Sequence, residues 1–113
     1  MASLTLRFRV TNKDIFKSIE SGKKKVETRA ATIKYKNISK GDEINFLCGK
    51  EKFSKQVRSV KIYKSLKSLL KKYKPQDITP WVKDAKELEA MYYSFPGYKE
   101  KIKKSGIIAL EVK

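Results

Sequence analysis

The chain contains no histidine and only one cysteine, Cys48, among its 113 residues. Without histidine there is no imidazole to act as an acid or base, no Ser-His or Cys-His pair, and little to bind a transition metal. A single cysteine forms neither an internal disulfide nor a zinc site. Cys48 also has no basic neighbour that would activate its thiol, so we interpret it as an inert small residue. We therefore expect no metal and no cofactor.

Long apolar runs are also missing from the sequence. No stretch of 18 or more apolar residues exists, so no segment is predicted to span a membrane. The segment Met1–Arg7 lacks the basic-then-apolar pattern of a signal peptide, and we expect a cytoplasmic location. The length suits one domain, and no repeat or low-complexity linker divides it. Residues 1–113 are therefore predicted to form a single, monomeric domain.

Positive charge, by contrast, is abundant. Lys and Arg number 28 against 12 Asp and Glu, which gives a formal net charge of +16. Such a field attracts polyanions, and nucleic acid is the commonest partner of this kind. Lysines greatly outnumber arginines, however, although phosphate-binding surfaces usually favour Arg. A solvated lysine-rich surface is thus the competing interpretation, and charge alone says nothing about specificity.

Hydrophobic periodicity predicts five strands and several helices. The predicted strands are Leu4–Val10, Lys24–Ala30, Glu43–Leu47, Phe53–Tyr63 and Ile107–Val112. The predicted helices are one capped by Thr11 or Asn12 and closed by Gly22, one begun by Ser65 and ended by Lys74-Pro75, one with Thr79-Pro80 at its start, another capped by Asp84 that runs through Leu88, Met91 and Tyr92, and the basic helix Tyr98–Ser105 closed by Gly106. Ile33, Tyr35 and Ile38 are expected to anchor the segment between the second and third strands.

The order β-α-β-β-β-α-α-β predicts an α+β fold, a small mixed β-barrel with helices packed over its openings. Three strands joined by tight turns favour an antiparallel, partly closed barrel. The apolar strand Ile107–Val112 is expected to pair centrally, beside the first strand.

The most informative segment is Gly22–Arg29. On a strand, Lys24 and Thr28 point to one face while Glu27 and Arg29 share the other. A carboxylate next to a guanidinium can fix its orientation, so that Arg29 can hold a phosphate or a base edge. Lys24 reaches the same cleft if a bulge interrupts the alternation. The alternative is an ordinary surface ion pair, which contributes about 0–1 kcal/mol.

Gly22, Lys24, Glu27 and Arg29 fit the pattern Gly-x-Lys-x-x-Glu-x-Arg, which resembles the signature of the ASCH domain family. The resemblance covers nearly the whole chain, since it includes the turn Lys40–Asp42 with the strand Glu43–Leu47, the strand end Val60–Tyr63 before a leucine helix, and the closing strand Ile107–Val112. It implies a PUA-like barrel with RNA or nucleotide recognition in a cleft lined by Lys24, Glu27 and Arg29. Gly22 would then be structural.

The ASCH family also contains enzymes. A small bacterial branch removes the acetyl group from N4-acetylcytidine with a threonine nucleophile, a lysine base and a glutamate, and another branch is a ribonuclease. By that resemblance Lys24 matches the lysine, but Glu27 stands at the position of the threonine, and Thr28 should face the other way. We therefore favour RNA binding over catalysis, with Lys24 and Glu27 as the catalytic pair if the protein is a hydrolase. A third hypothesis is an interaction module for acidic protein partners.

Other aromatic and basic residues complete the predicted ligand-binding set. Tyr98 is the ring expected to face the cleft, whereas Trp81 and Tyr92 are expected in the core, because aromatic residues at helical spacing are usually buried. The full predicted set is Lys24, Glu27, Arg29, Tyr98, Lys23, Arg7 and Tyr35. RNA or another nucleic acid is the expected partner, with a nucleotide or nucleoside as a smaller alternative.

Overall fold

The computed structural model describes residues 3–35 and 37–113, which form five strands and five α-helices. Their bounds are β1 (Ser3–Phe8), α1 (Lys13–Ser21), β2 (Val26–Ala30), β3 (Glu43–Cys48), β4 (Glu51–Tyr63), α2 (Leu66–Lys72), α3 (Pro75–Ile78), α4 (Ala85–Ser94), α5 (Tyr98–Ser105) and β5 (Ile107–Val112). Short 3-10 turns precede α1, at Val10–Asn12, and follow β2, at Ile33–Tyr35. In the described part of the chain, no helix is long and apolar enough to cross a bilayer.

The five strands form one curled sheet, a half-barrel with the strand order β1-β3-β4-β5-β2. β1 runs parallel to β3, and the other neighbours are antiparallel. The long strand β4 pairs with β3 through its first half and with β5 through its second, and its register shifts between Val57 and Ser59. A bulge of this kind increases the local twist, which helps a single strand to serve both halves of a curled sheet. β1 and β2 are the two edge strands.

The sheet is covered on both faces by apolar side chains. Ile108 and Leu110 of β5 point into the half-barrel and pack with Phe16 of α1. Ile107 and Ala109, the alternate residues of β5, face the helices and pack with residues such as Leu69, Ile78 and Leu88. Since successive side chains of a strand point to opposite faces, β5 needs apolar residues at nearly every position, and it has them.

All five predicted strands are present, and so are several predicted helix ends. The Ser65 hydroxyl accepts a hydrogen bond from the Ser68 N–H at 3.2 Å and caps α2. The Asp84 carboxylate accepts one from the Glu87 N–H at 3.0 Å and caps α4. Gly22 ends α1 with φ of 88°, in the left-handed region that favours glycine.

The predicted neighbour of β5 is wrong. β5 lies between β4 and β2, and β1 pairs with β3 instead. The reason lies in burial: β5 is buried on both faces and needs a central position, whereas β1 exposes Ser3 and Arg7 and suits an edge. The predicted α+β fold with a barrel-like sheet is confirmed, the sheet being a half-barrel. Four helices lie between β4 and β5, where the order β-α-β-β-β-α-α-β counted two.

Three local predictions are also corrected. Thr79-Pro80 does not open a helix: Pro75 occupies the first turn of α3, where a missing N–H costs nothing, and Thr79 ends that helix. Ile33 does not anchor its segment, since it is 84% exposed. Val10 is exposed in a 3-10 turn instead of extending β1, and α1 begins after Asn12 with no side-chain cap.

Candidate functional site

A cavity of about 360 Å³ opens between the two edge strands of the half-barrel. The end of β1, the start of α1, strand β2 and the segment from α3 to α5 all contribute to it. Its lining consists of Arg7, Phe8, Arg9, Asn12, Ile15, Lys24, Glu27, Thr28, Arg29, Thr79, Trp81, Met91, Tyr92, Phe95, Pro96 and Tyr98. The Gly22–Arg29 segment therefore supplies one wall of the cleft.

Glu27 is the centre of a buried ion-pair network. One carboxylate oxygen, Oε1, lies 3.5 Å from Lys24 Nζ and accepts a hydrogen bond from the Thr28 N–H at 3.0 Å. The other oxygen, Oε2, accepts a hydrogen bond from Arg29 Nη2 at 3.2 Å. Glu27 and Lys24 are each only 5% exposed. The pair is therefore not the ordinary surface ion pair that the spacing allowed.

Lys24 reaches this position because the chain turns sharply after α1. Gly22 ends the helix, and the Lys24 N–H donates to the Ser18 carbonyl at 3.0 Å before the strand begins. The Lys24 ammonium then donates to the Val26 carbonyl at 3.0 Å and to the Ile78 carbonyl. With Glu27, these acceptors match the three donors of an ammonium group, so the geometry suits the charged form.

Burial and charge act in opposite directions on the pKa values of this network. Burial lowers the pKa of Lys24, and the attraction of Glu27 offsets only part of that effect. For Glu27, burial by itself would raise the pKa, but Lys24 and Arg29 together hold it below its ordinary value. For Arg29, burial acts to lower the pKa, and Glu27 together with Tyr35 and Tyr98 more than compensates. Glu27 and Arg29 are therefore both charged at neutral pH.

Arg29 is the member of the network that meets the open cleft. Its side chain is 25% exposed, against 6% for that of Glu27. Its guanidinium carbon lies 5.4 Å from the centre of the Phe8 ring, within the range of a cation–π contact. The contacts with Phe8 and Glu27 fix the plane of the guanidinium, which leaves a pre-oriented donor group at the cavity wall.

The placement of Thr28 differs from the prediction. Thr28 was expected on the face opposite Glu27, away from the cleft, yet it also lines the cavity. β2 is an edge strand that pairs only with β5, and the cavity lies along its unpaired edge, so side chains of both faces border it. The Thr28 hydroxyl is hydrogen-bonded to the Tyr92 hydroxyl.

Aromatic rings form the wall that faces the network. Tyr92 and Tyr98 stack with 6.3 Å between ring centres and 9° between ring planes, and Phe95 packs edge-on against both. Tyr98 therefore borders the cleft as predicted, and Tyr92 is buried as predicted. Burial raises the pKa of Tyr92, which keeps its hydroxyl protonated. Trp81 is not a core residue: it is 49% exposed and lines the cavity, because the turn between α3 and α4 directs it outward.

Of the three remaining predicted residues, one lines the cavity and two do not. Arg7 lines the cavity, whereas Lys23 is exposed on the turn after Gly22, and Tyr35 is half-buried against the core of the half-barrel. Arg9 also lines the cavity, although the predicted set omitted it. The signal for Arg9 was present, because it lies two residues from Arg7 on the same face of the first predicted strand.

The cleft carries a clear excess of positive charge. Its lining includes the four cations Arg7, Arg9, Lys24 and Arg29 but only one carboxylate, that of Glu27. Among the residues that the structure describes, no group of three His, Cys, Asp or Glu side chains could hold a metal ion. Chemically, this arrangement offers cationic donors beside flat apolar rings, which suits an anionic ligand with a planar group.

Two solved structures are similar to this chain over nearly its full length. The crystal structure of hypothetical protein PH0355 shares 29% sequence identity, covers 99% of this chain and 98% of its own, and superposes with a TM-score of 0.85. The solution structure of protein PF0455 from Pyrococcus furiosus shares 30% identity, covers 98% of this chain and 94% of its own, and has a TM-score of 0.74. No protein-family model and no curated protein matches the chain.

Proposed function

The chain belongs to the same family as protein PF0455 from Pyrococcus furiosus. From the Gly22–Arg29 motif and the cleft that it lines, we propose that this cleft binds RNA within a PUA-like fold of the ASCH type. One observation carries the proposal: a pre-oriented Arg29, fixed by the buried pair Lys24–Glu27, meets an aromatic wall across a ligand-sized cavity. Guanidinium groups hold phosphates and base edges, and aromatic rings stack on bases.

The charge distribution supports the same ligand class. A net charge of +16 attracts any polyanion, but the cleft adds local cations to aromatic rings, and this combination suits nucleotides. The preference for RNA over DNA comes from the resemblance of the Gly22–Arg29 motif to the ASCH signature. An acidic protein partner would use the charge but would leave the rings without a role.

The test compares Arg29→Ala with Lys72→Ala. Each substitution removes one positive charge, but Lys72 is exposed at the end of α2 and is not among the residues that line the cleft. Binding of fluorescein-labelled single-stranded RNA is measured by anisotropy. We expect Arg29→Ala to weaken binding about tenfold or more, since a hydrogen bond to a charged group contributes about 1.5–3 kcal/mol, and Lys72→Ala to change it about twofold.

Equal losses of RNA affinity in the two variants would mean that the affinity comes from the net positive charge of the surface and that the cleft does not contribute to binding. A salt titration sharpens the result. For single strands the slope of log K against log salt is about −0.7 per neutralised phosphate, so Arg29→Ala should reduce it by about 0.7 if Arg29 contacts a phosphate. An unchanged slope with lost affinity would assign Arg29 to a base. Matched DNA strands and an acidic peptide serve as competitors that RNA should outcompete.

A hydrolase acting on N4-acetylcytidine, or a ribonuclease, is the second candidate. One observation favours it: Thr28, Lys24 and Glu27 all border the same cavity. Against it, the Thr28 hydroxyl is hydrogen-bonded to Tyr92, the Lys24 ammonium donates to the Val26 and Ile78 carbonyls, and the Glu27 carboxylate accepts from the Thr28 N–H rather than from its hydroxyl. Incubation with N4-acetylcytidine and with single-stranded RNA tests this candidate. Turnover that is lost in Lys24→Met would support it, and absence of turnover would exclude it.

A further inference from the structure

Two large rings stay half-exposed where the cleft opens to solvent. Trp81 is 49% exposed and Phe95 is 42% exposed, and both line the cavity. Single exposed apolar side chains are common on protein surfaces and need no explanation. Two large rings that open onto one cavity form a cluster, and they offer flat apolar surface to whatever occupies the cleft.

The turn that carries Trp81 is held firmly. Thr79 and Val82, which flank it, are both buried, and the Val82 N–H donates to the Thr79 carbonyl at 3.2 Å. The Gln76 side-chain amide donates to the carbonyls of Val82 and Lys83 at 3.1 and 2.8 Å. With the backbone anchored on both sides, the indole is displayed from a rigid support, which limits the entropy lost when a ligand stacks on it.

Another part of the rim is cationic. Arg7 and Arg9 are exposed around the end of β1 and also line the cavity. Sites for single-stranded nucleic acid combine a basic track for the phosphates with aromatic rings for successive bases. The rim of this cleft has both components, and its aromatic part lies outside the Lys24–Glu27–Arg29 network.

We propose that the cleft binds two consecutive unpaired nucleotides of RNA, with one base inside the cavity beside Arg29 and Tyr98 and the neighbouring base stacked on Trp81. The inference rests on the proposed function and specifies its ligand as single-stranded RNA. A cavity of about 360 Å³ lies near the lower end of the range for small-molecule sites, about 300–1,000 Å³, so it suits one nucleotide. The second base then needs a platform outside, and Trp81 provides one.

The experiment uses the intact chain and its single tryptophan. The probes are the four nucleoside 5′-monophosphates, the four 5′-phosphorylated dinucleotides with the same base twice, and a mixed-sequence RNA octanucleotide, free and in a duplex. Affinities come from calorimetry and anisotropy, and stacking on Trp81 is read from quenching of its fluorescence.

Three variants separate the roles. Trp81→Ala should weaken dinucleotide and octanucleotide binding about tenfold, within the range expected for one stacked base, while the mononucleotide that binds best keeps its affinity within about twofold. Trp81→Phe should restore most of the loss, because a ring remains. Tyr93→Ala is the matched control: Tyr93 is 40% exposed but lies outside the described lining, so RNA binding should not change. Circular dichroism confirms that each variant is folded.

The outcomes distinguish this inference from the proposed function. Strong quenching by dinucleotides and the single strand, with little by the duplex, supports the inference. RNA binding that depends on Arg29 but is indifferent to Trp81→Ala would overturn the inference and leave the proposed function intact. An equal loss of mononucleotide and dinucleotide affinity in Trp81→Ala would place Trp81 inside a one-nucleotide site and also overturn it. Absence of any RNA binding would overturn the proposed function itself.

Discussion

Two glutamates of this chain are each held between two cations, Glu27 in the cleft and Glu51 on the surface. Glu51 lies 2.6 Å from both Lys13 and Lys17 of α1, and these side chains are 40–51% exposed. Around Glu27 the distances are longer, 3.5 and 3.2 Å, but its side chain is only 6% exposed. The shorter contacts belong to the weaker network, because water and salt screen exposed charges and not buried ones.

The two networks therefore differ in what they can do. The surface network joins α1 to the hairpin between β3 and β4, and its side chains can separate at little cost. The buried network cannot separate without leaving a charge in a poorly hydrated site, so it fixes Arg29 at the cavity wall. The same kind of network, a carboxylate between two cations, gives an adaptable contact on the surface and a rigid, ligand-facing group in the cleft.

The largest expected effect comes from removing the central carboxylate of each network. Glu27→Gln leaves Lys24 and Arg29 as unpaired neighbouring cations and should lower the free energy of unfolding by about 3–5 kcal/mol. Glu51→Gln should cause a much smaller loss, since water and salt screen its exposed ion pairs. Urea unfolding of both variants at pH 7 gives the two values. A similar small loss in both would show that water hydrates the cleft network, and the contrast between the two sites would disappear.

The second effect concerns the pKa values of the same two carboxyls. Lys13 and Lys17 lower the pKa of Glu51 to about 2, and Lys24 and Arg29 lower that of Glu27 against the opposing effect of burial. A lowered folded-state pKa means that each carboxylate stabilises the fold above the ordinary value of about 4.5, and that this stability is lost as the pH falls through the folded-state pKa.

High salt should change the pKa of Glu51 more than that of Glu27. At 1 M salt the screening length falls to about 3 Å, so the pKa of Glu51 should return toward its ordinary value while that of Glu27 stays low. Carboxyl carbon NMR titrations at low and high salt, with Glu51→Gln used to assign the surface resonance, provide the measurement. Parallel shifts of both resonances would contradict the placement of Glu27 in an interior that salt does not screen.

These two networks also show how far the sequence could predict the site. The spacing of Lys24, Glu27 and Arg29 along one short segment singled them out, because residues so close in sequence must also be close in space. Thr28 and Trp81 were misplaced for a different reason. Their environment depends on which strand lies at the edge and on how the turn after α3 packs, and both are long-range features.

The fold, too, was predicted from local signals in some parts and missed in parts that depend on long-range contacts. The strands, the Ser65 and Asp84 caps and the glycine that ends α1 were predicted, since alternation and capping are local signals. The partner of β5 was not, because pairing between distant strands is decided by total burial. The apolar content of β5 nevertheless indicated its central position correctly. The PUA-like class remains a proposal beyond the α+β half-barrel.

A smaller effect is expected when one cation is removed from the buried network. Burial lowers the pKa of Lys24, so the ammonium is held at a net cost, whereas Glu27 would keep Arg29 and the Thr28 N–H as partners without it. Lys24→Met should therefore lower the free energy of unfolding by about 1 kcal/mol, the scale of one net hydrogen bond and well below Glu27→Gln. RNA affinity should still fall, because Arg29 loses part of its support. A loss as large as that of Glu27→Gln would show that the three residues act as one unit.

The smallest expected effect comes from replacing the two glycines that precede the networks in the sequence, Gly22 and Gly49. Gly22 leads to Lys24 and has φ of 88°, and Gly49 leads to Glu51 and has φ of 60°. A side chain at Gly22 would meet nothing within 4 Å, and one at Gly49 would meet only Val10, at 3.5 Å. Alanine at either position therefore adds backbone strain alone, about 1–2 kcal/mol, and urea unfolding should give similar losses.

Gly22→Ala and Gly49→Ala should differ in RNA affinity even though their free energies of unfolding are similar. Gly22→Ala should shift the turn that places Lys24 next to Glu27, and this shift should disturb the orientation of Arg29. RNA affinity should therefore drop about two- to threefold, which corresponds to about 0.5 kcal/mol. Gly49→Ala perturbs only the surface network and should leave affinity unchanged. Equal affinities in both variants, at equal stability, would mean that the turn at Gly22 serves the fold alone and that the cleft tolerates movement of its buried lysine.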